Sequence, residues 1–144
     1  MTRRSRAREV ALQVLYQADM NPAVADARDR TRFLKGRLRS AGLVDFAAAL
    51  VSGVEAHRVA IDERLENRAE HWRVSRMAAT DRAVLRIAFY ELLHTETPGP
   101  VVVDEAIELA RRYGNDASPR FVAGILGRFL ADRAGGGTPA AEAS

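Results

Sequence analysis

Four arginines, Arg3, Arg4, Arg6 and Arg8, crowd the lead-in and first turn of a helix whose apolar stripe runs Ala7, Val10, Ala11, Val14, Leu15 and Ala18. A guanidinium offers a planar fork of donors that matches a phosphate and a flat face that stacks on a base. At a helix start it is misplaced for stability alone, because the dipole puts partial positive charge there and each cation costs on the order of 0.3–1 kcal/mol before screening. Arg4 and Arg8 are also four residues apart, which adds like-charge repulsion. An anionic partner reverses the sign, since arginines and free backbone N–H groups together attract phosphates. The chemistry on offer is capture of a polyanion, set against a plain solvated basic terminus.

A second basic element lies near the far end of the chain. Arg111, Arg112 and Arg120 bracket Gly114-Asn115-Asp116, and Phe121 follows in the first turn of a helix. An aromatic ring beside arginines at a helix start can stack an unpaired base, at roughly 1–3 kcal/mol per base; the same spacing also suits a core phenylalanine. If the two basic patches adjoin, they form one groove for single-stranded nucleic acid.

Catalytic constellations are missing by the same inspection. There is no His-Glu-x-x-His spacing, no Gly-x-Ser-x-Gly elbow and no strand followed by a glycine-rich loop and a helix. With no cysteine, disulfides and thiolate sites are excluded together. His57, His71 and His94 fall in separate segments and read as surface or packing residues. Glu63, Glu66 and Glu70 beside Arg64, Arg68 and Arg73 read as a solvated helix face. The cluster Gly135–Gly137 has no helix after it to offer a phosphate. Neither an enzyme nor a metal or organic cofactor is expected.

The elements that must position these residues are helices. Apolar residues recur at spacings of three and four, while alternating β-branched runs are absent except for Val101-Val102-Val103. The periodicity predicts a helix from about Arg4 to Ala18, ended by Asn21-Pro22, and a short basic one from about Asp26 to Arg39 on Phe33, Leu34 and Leu38. A third starts near Val44, carries Phe46, Leu50, Val54, Val59, Ile61 and Leu65, and bends or breaks near His57. The fourth, about Met77 to Leu93, is apolar on nearly all sides and belongs at the centre of a bundle. Pro98-Gly99-Pro100 is a break. A fifth helix, about Val102 to Tyr113, turns Val102, Val103, Ala106, Ile107 and Ala110 inward and is capped by Gly114. Ser118-Pro119 has the N-cap and first-turn signature of a sixth, with Val122, Ile125, Leu126 and Phe129 inside.

Charge is uneven along the chain. The net charge of +3 hides ten basic against four acidic residues in positions 1–40 and twelve against fifteen in 41–144. All basic residues but Lys35 are arginines, a bias that GC-rich coding also produces, so placement carries more weight than number. At 144 residues, 47% hydrophobic and 28% charged, the chain can form one domain with a real core, residues 1–133. Residues 134–144 lack periodicity and are expected to be a disordered tail. No apolar run approaches the roughly 18 residues needed to cross a bilayer, and the basic start lacks a signal-peptide core. A soluble cytoplasmic protein with no membrane partner is expected.

Several blocks together resemble one family. Arg6-Ala7-Arg8-Glu9 followed by Ala11-Leu12-Gln13-Val14-Leu15-Tyr16 looks like the opening of the NusB family of bacterial transcription antitermination factors. The likeness continues through Trp72, Arg76 and Asp81-Arg82-Ala83-Val84-Leu85-Arg86-Ile87-Ala88-Phe89-Tyr90-Glu91-Leu92. Further on come Pro98, Val103-Asp104-Glu105-Ala106-Ile107-Glu108-Leu109-Ala110, Tyr113-Gly114 and Phe121-Val122-Ala123-Gly124-Ile125-Leu126, in family order over about residues 3–130. The resemblance implies an all-α fold of two packed three-helix bundles, with a further short helix between Ile61 and Arg73. It also implies an adaptor that binds boxA RNA jointly with the ribosomal protein NusE. Read-through by the RNA polymerase antitermination complex, notably in ribosomal RNA operons, follows from that role.

By this likeness Arg3, Arg4, Arg6 and Arg8 are the main RNA contacts, Arg120 and Phe121 extend that surface, and Tyr16 and Asp81 face NusE. Two positions depart from the family pattern: Ala123 stands where Phe-Val-Asn-Gly is common, and Asp81 where the longer Glu is frequent. Leu85, Ile87, Phe89 and Leu92 are read as core, Arg86, Glu91 and Glu105 as members of buried or half-buried pairs, and Trp72 as a plug over the join between bundles. A homodimer formed through an exposed apolar helix face would mask the RNA surface. A second reading, an accessory domain like the one that precedes the catalytic part of RNA cytosine methyltransferases, meets no strand and no cofactor loop in these residues. A third is a helical assembly protein whose basic terminus is only solvated.

Overall fold

In the computed structural model residues 2–22, 26–68 and 73–135 are described, and every regular element among them is helical. The order is α1 (Arg3–Met20), α2 (Ala27–Arg37), α3 (Ala41–Ala56), α4 (Arg58–Arg68), a single 3-10 turn (Val74–Arg76), α5 (Ala79–His94), α6 (Gly99–Tyr113) and α7 (Ser118–Ala134). Glu70, His71, Trp72 and the tail beyond Gly135 lie outside the described residues. The chain divides into two compact units, Met1–Ala56 and His57–Ser144.

The first unit is a bundle of α1, α2 and α3. Thr2 starts α1: its hydroxyl accepts the Ser5 backbone N–H at 3.0 Å and meets the Ser5 hydroxyl at 2.7 Å, satisfying a donor that a helix start leaves free. Ala7, Val10, Ala11 and Val14 are buried along α1, and Ala47, Leu50, Val51 and Val54 along α3. Asp26 caps α2 by accepting the Arg28 N–H at 2.7 Å. Arg30 then donates two hydrogen bonds to the Glu55 carboxylate, tying α2 to the last turn of α3.

The expected discontinuity at His57 is a full break. It resets the buried face: Ile61 and Leu65 are fully buried, whereas Val59, expected on the apolar side, is 74% exposed. Continuing the α3 periodicity across His57 places Val59 inside. A new helix starting at Arg58 takes its register instead from Ile61 and Leu65, one turn apart.

In the second unit α5 is central, packing on α4, α6 and α7. Leu85, Ile87, Phe89 and Leu92 are buried as expected, and the Phe89 and Phe129 rings meet at 4.9 Å. Arg86 donates from Nε and Nη2 to the two oxygens of Asp62, each at 2.9 Å, a bidentate link from α5 to α4. Buried Glu91 accepts from the Thr97 hydroxyl at 3.3 Å. The Arg82 guanidinium donates to the carbonyls of Val74 and Met77, fastening the 3-10 turn to the start of α5.

Two helix ends differ from the sequence expectation. α6 begins inside Pro98-Gly99-Pro100, with Pro98 as its cap and Pro100 in the first turn, where a missing N–H costs nothing. At the other end Gly114 is the C-cap as expected, its N–H donating to the Ala110 carbonyl at 2.9 Å, with φ −92° rather than a left-handed conformation. Its need is space: a Cβ would fall 2.3 Å from the Ser118 Oγ and 2.8 Å from the Ala110 carbonyl oxygen. Ser118 is the first residue of α7 rather than its cap, which is Ala117. Its buried hydroxyl accepts the Asn115 N–H at 3.0 Å, while the Asn115 side chain accepts the Ala117 N–H at 2.9 Å.

Candidate nucleic-acid interface

All four amino-terminal arginines lie within α1, and its first turn holds no acidic residue to offset them. Helical geometry separates them. Arg4 and Arg8, four apart, share one face and converge on a single ring of α3: their guanidinium carbons lie 4.7 and 5.1 Å from the centre of Phe46. The negative ring face attracts both cations and offsets their mutual repulsion. Arg4 nevertheless stays exposed, while Arg8 is only 3% exposed. Arg6 lies on another face, half-buried, and donates to the carboxylate of Glu9 one turn on. Arg3 is exposed.

The cluster therefore has two kinds of member. Arg3 and Arg4 present charge to solvent; Arg6 is partly neutralised by the chain's own carboxylate, and Arg8 is enclosed. Glu9, three residues after Arg6, is a local signal for that pair, but nothing local separates Arg4 from Arg8, because Phe46 is about forty positions away and its spacing reads as helix core. Thr2, three residues before Ser5, was the available signal that the helix starts as early as Arg3.

In the second unit, Arg111 and Arg112 both reach Glu108, on the previous turn of α6. Arg120 is exposed and, among the described residues, makes no ion pair. Phe121 is half-buried, a state between the base-stacking and core readings. It lines a cleft of about 210 Å³ with Met77, Ala78, Asp81, Asn115 and Ala117. The Asn115–Ala117–Ser118 hydrogen bonds hold one wall of this cleft, and the Arg82 links hold the other.

Asp81 stands in the first turn of α5, where its charge suits the helix dipole. It is 93% buried on the complement of its 7% exposure, yet its Oδ1 has no hydrogen-bond partner among the described residues. A buried carboxylate oxygen left unpaired is costly, so the site is better satisfied with a donor brought from outside. Asp81 and Phe121, assigned to different partners by the resemblance, thus line one cleft. Tyr16 is half-buried on α1, and its hydroxyl makes no hydrogen bond among the described residues.

Among the described residues no group of three His, Cys, Asp or Glu could hold a metal ion, and no helix is long and apolar enough to cross a membrane. His57 and His94 stack at 3.9 Å between ring centres, with Tyr90 beside them at 6.1 and 5.5 Å. Burial first, then the neighbouring His57 and Arg64 charges, lower the pKa of His94.

The family model described as the NusB family matches residues 5–131. The chain is 45% identical over 143 residues to a transcription antitermination protein NusB of Anaeromyxobacter dehalogenans (strain 2CP-1 / ATCC BAA-258), covering 98% of this chain and 96% of that one. With the protein of the same description from Saccharopolyspora erythraea it is 44% identical over 134 residues, covering 90% and 87%. Among solved structures it superposes on T. maritima NusB with a TM-score of 0.76 at 33% identity, over 92% of each chain. A chain from a crystal structure of antitermination factors NusB and NusE in complex with dsRNA gives 0.78 at 25% identity, over 91% of this chain and 98% of that one.

Proposed function

Because the chain belongs to the NusB family, we propose that it is a transcription antitermination factor that binds boxA-type single-stranded RNA together with NusE and promotes read-through, notably of ribosomal RNA operons. The observation that carries this reading is the exposure of Arg3 and Arg4 at the start of α1, with no acidic residue in that turn. An RNA phosphate supplies the missing counter-charge, and the helix start adds its own partial positive charge to the attraction. Arg6 contributes in proportion to its solvent-facing part. Arg8 acts from within, holding Phe46 and with it the position of Arg4.

Arg120 and Phe121 supply the second RNA element: a cation over the backbone and a half-exposed ring for an unpaired base. Asp81 accepts a donor from NusE at its unpaired Oδ1, and Tyr16 offers a free hydroxyl to the same partner. Two linked RNA-binding surfaces raise each other's effective concentration, so NusE tightens RNA binding without changing the α1 contact. The protein works by binding alone, in the cytoplasm, as a component of the RNA polymerase antitermination complex. A homodimer is a competing state that hides the RNA surface, and RNA should disperse it in sedimentation.

The deciding experiment is a gel shift with a boxA-like RNA and a scrambled RNA of equal length, each with and without NusE. Preference for boxA, tightened by NusE, is the expected result. Equal binding to both RNAs with no effect of NusE would leave only a basic helical protein, and no binding at all would leave an assembly protein.

A further inference from the structure

The geometry points to a second RNA-backbone contact on the outer face of α2, taking the single-stranded segment that flanks the part held by α1; this rests on the RNA-binding reading above. Arg28, Arg32 and Lys35 are four and three residues apart, so they form one stripe along α2, about 10 Å long at 1.5 Å per residue. All three are exposed. The opposite face is the one that packs: Leu34 is buried, Phe33 half-buried, Arg30 is bound to Glu55, and the Arg37 guanidinium stacks 3.6 Å from the centre of the Phe33 ring. The fold thus uses Arg30 and Arg37 and leaves Arg28, Arg32 and Lys35 to water.

Little within the chain compensates that stripe. Arg32 reaches Asp29 only at 3.9 Å, with both side chains well exposed, and among the described residues neither Arg28 nor Lys35 makes an ion pair. Like charges at these spacings oppose the helix that carries them, and no packing requirement of α2 calls for them. The stripe holds no apolar or aromatic side chain, which a protein interface centre or a membrane-inserting helix needs. A flexible polyanion needs neither. The stripe also leads toward the α1 site: α2 ends at Arg37, α3 begins at Ala41, and Phe46 in the second turn of α3 is where Arg4 sits. The C-terminal end of the stripe and exposed Arg4 are therefore at the same end of the first unit.

The test compares a boxA-length RNA with the same RNA extended by oligouridine at both ends, using the full chain and its Arg28→Gln/Arg32→Gln/Lys35→Gln variant. Glutamine keeps the helix propensity of the residues it replaces, and circular dichroism checks the fold. The wild type should bind the longer RNA with a steeper dependence of log K on log salt. The variant should lose about 2 units of that slope, at roughly 0.7 per phosphate, and bind the short RNA as before. An unchanged slope on the longer RNA, or an equal loss on both RNAs, would overturn the flanking contact while leaving the boxA reading intact. A wild type that binds neither RNA would remove the reading beneath it as well. Should the triple variant not fold, Arg28→Gln/Lys35→Gln is read the same way, with an expected loss of about 1.4.

Discussion

Arg4 and Arg8, one turn apart on α1, rest their guanidinium groups on the same Phe46 ring, and only Arg4 remains exposed. Charge at the start of α1 is thus divided between a solvent-facing pair, Arg3 and Arg4, a half-buried Arg6 paired with Glu9, and an enclosed Arg8. Replacing Arg3 and Arg4 with Gln should weaken boxA binding and flatten its salt dependence by about 1.4 log units per log unit of salt, at roughly 0.7 per phosphate. The fold should be retained, as circular dichroism and a thermal melt would show. A salt titration with an unaltered slope takes the two residues out of the interface.

Arg8→Ala tests the inner member. It removes a buried side chain from the Phe46 ring, a cation–π contact worth about 0.5–2 kcal/mol. A lower melting temperature is expected first, with a smaller loss of RNA affinity following from the displaced Arg4. If affinity falls while the melting temperature stays put, Arg8 contacts RNA directly.

Asp81→Asn separates function from stability. Its buried Oδ1 has no partner within the described chain, so neutralising it should shift the melting temperature little, the relief of an unpaired buried charge being set against a lost helix-dipole contribution of about 0.3–1 kcal/mol. NusE affinity should fall by about 10-fold or more, since hydrogen bonds to a charged group contribute about 1.5–3 kcal/mol. Calorimetric titration with NusE decides it; unchanged affinity places the NusE contact elsewhere.

The Arg86–Asp62 pair offers a structural control. Asp62→Ala leaves a largely buried guanidinium without its bidentate partner. Because Asp62 is itself partly exposed, the loss should be at or below the low end of the buried-pair range, about 2–3 kcal/mol by denaturant unfolding. RNA affinity at saturating fold should not change. A stability loss below about 0.5 kcal/mol, the usual size for a neutral surface site, would mean that the pair is dispensable.

His94 gives the molecule an acid-sensitive side. Burial, His57 and Arg64 hold its pKa below the ordinary 6.5, so the unfolded chain takes up the proton more readily than the folded one. Stability is then greatest above pH 6.5 and declines as pH falls from there toward the lowered value, below which this contribution levels off. His94→Gln should shrink that part of the pH dependence of the melting temperature. An identical profile in the variant would clear His94 of the effect.

Much of this was legible in the residues alone. The helical spacing placed α1, α5, α6 and α7 to within a few positions, the core of α5 followed from its all-round apolarity, and the break at His57 was visible as a faltering period. Val59 departs from that pattern because a buried face is set by neighbours in space rather than along the chain. Continuing the α3 stripe across His57 points Val59 inward, whereas the packing of Ile61 and Leu65 turns it to solvent. Phe46 looked like one more core residue because periodicity marks a side chain as inward without saying what else will lie against it.

By itself the sequence determined that the chain is helical, that positive charge gathers at its start, and that its motifs run in the order of one family, since propensity, charge and periodicity are properties of neighbours along the chain. The tertiary structure decided which of those charges reach water. It set Arg8 inward against Phe46, left Arg3 and Arg4 outside, and brought Asp81 and Phe121 to the walls of one cleft. Burial and pairing depend on contacts between residues tens of positions apart, and only packing settles them.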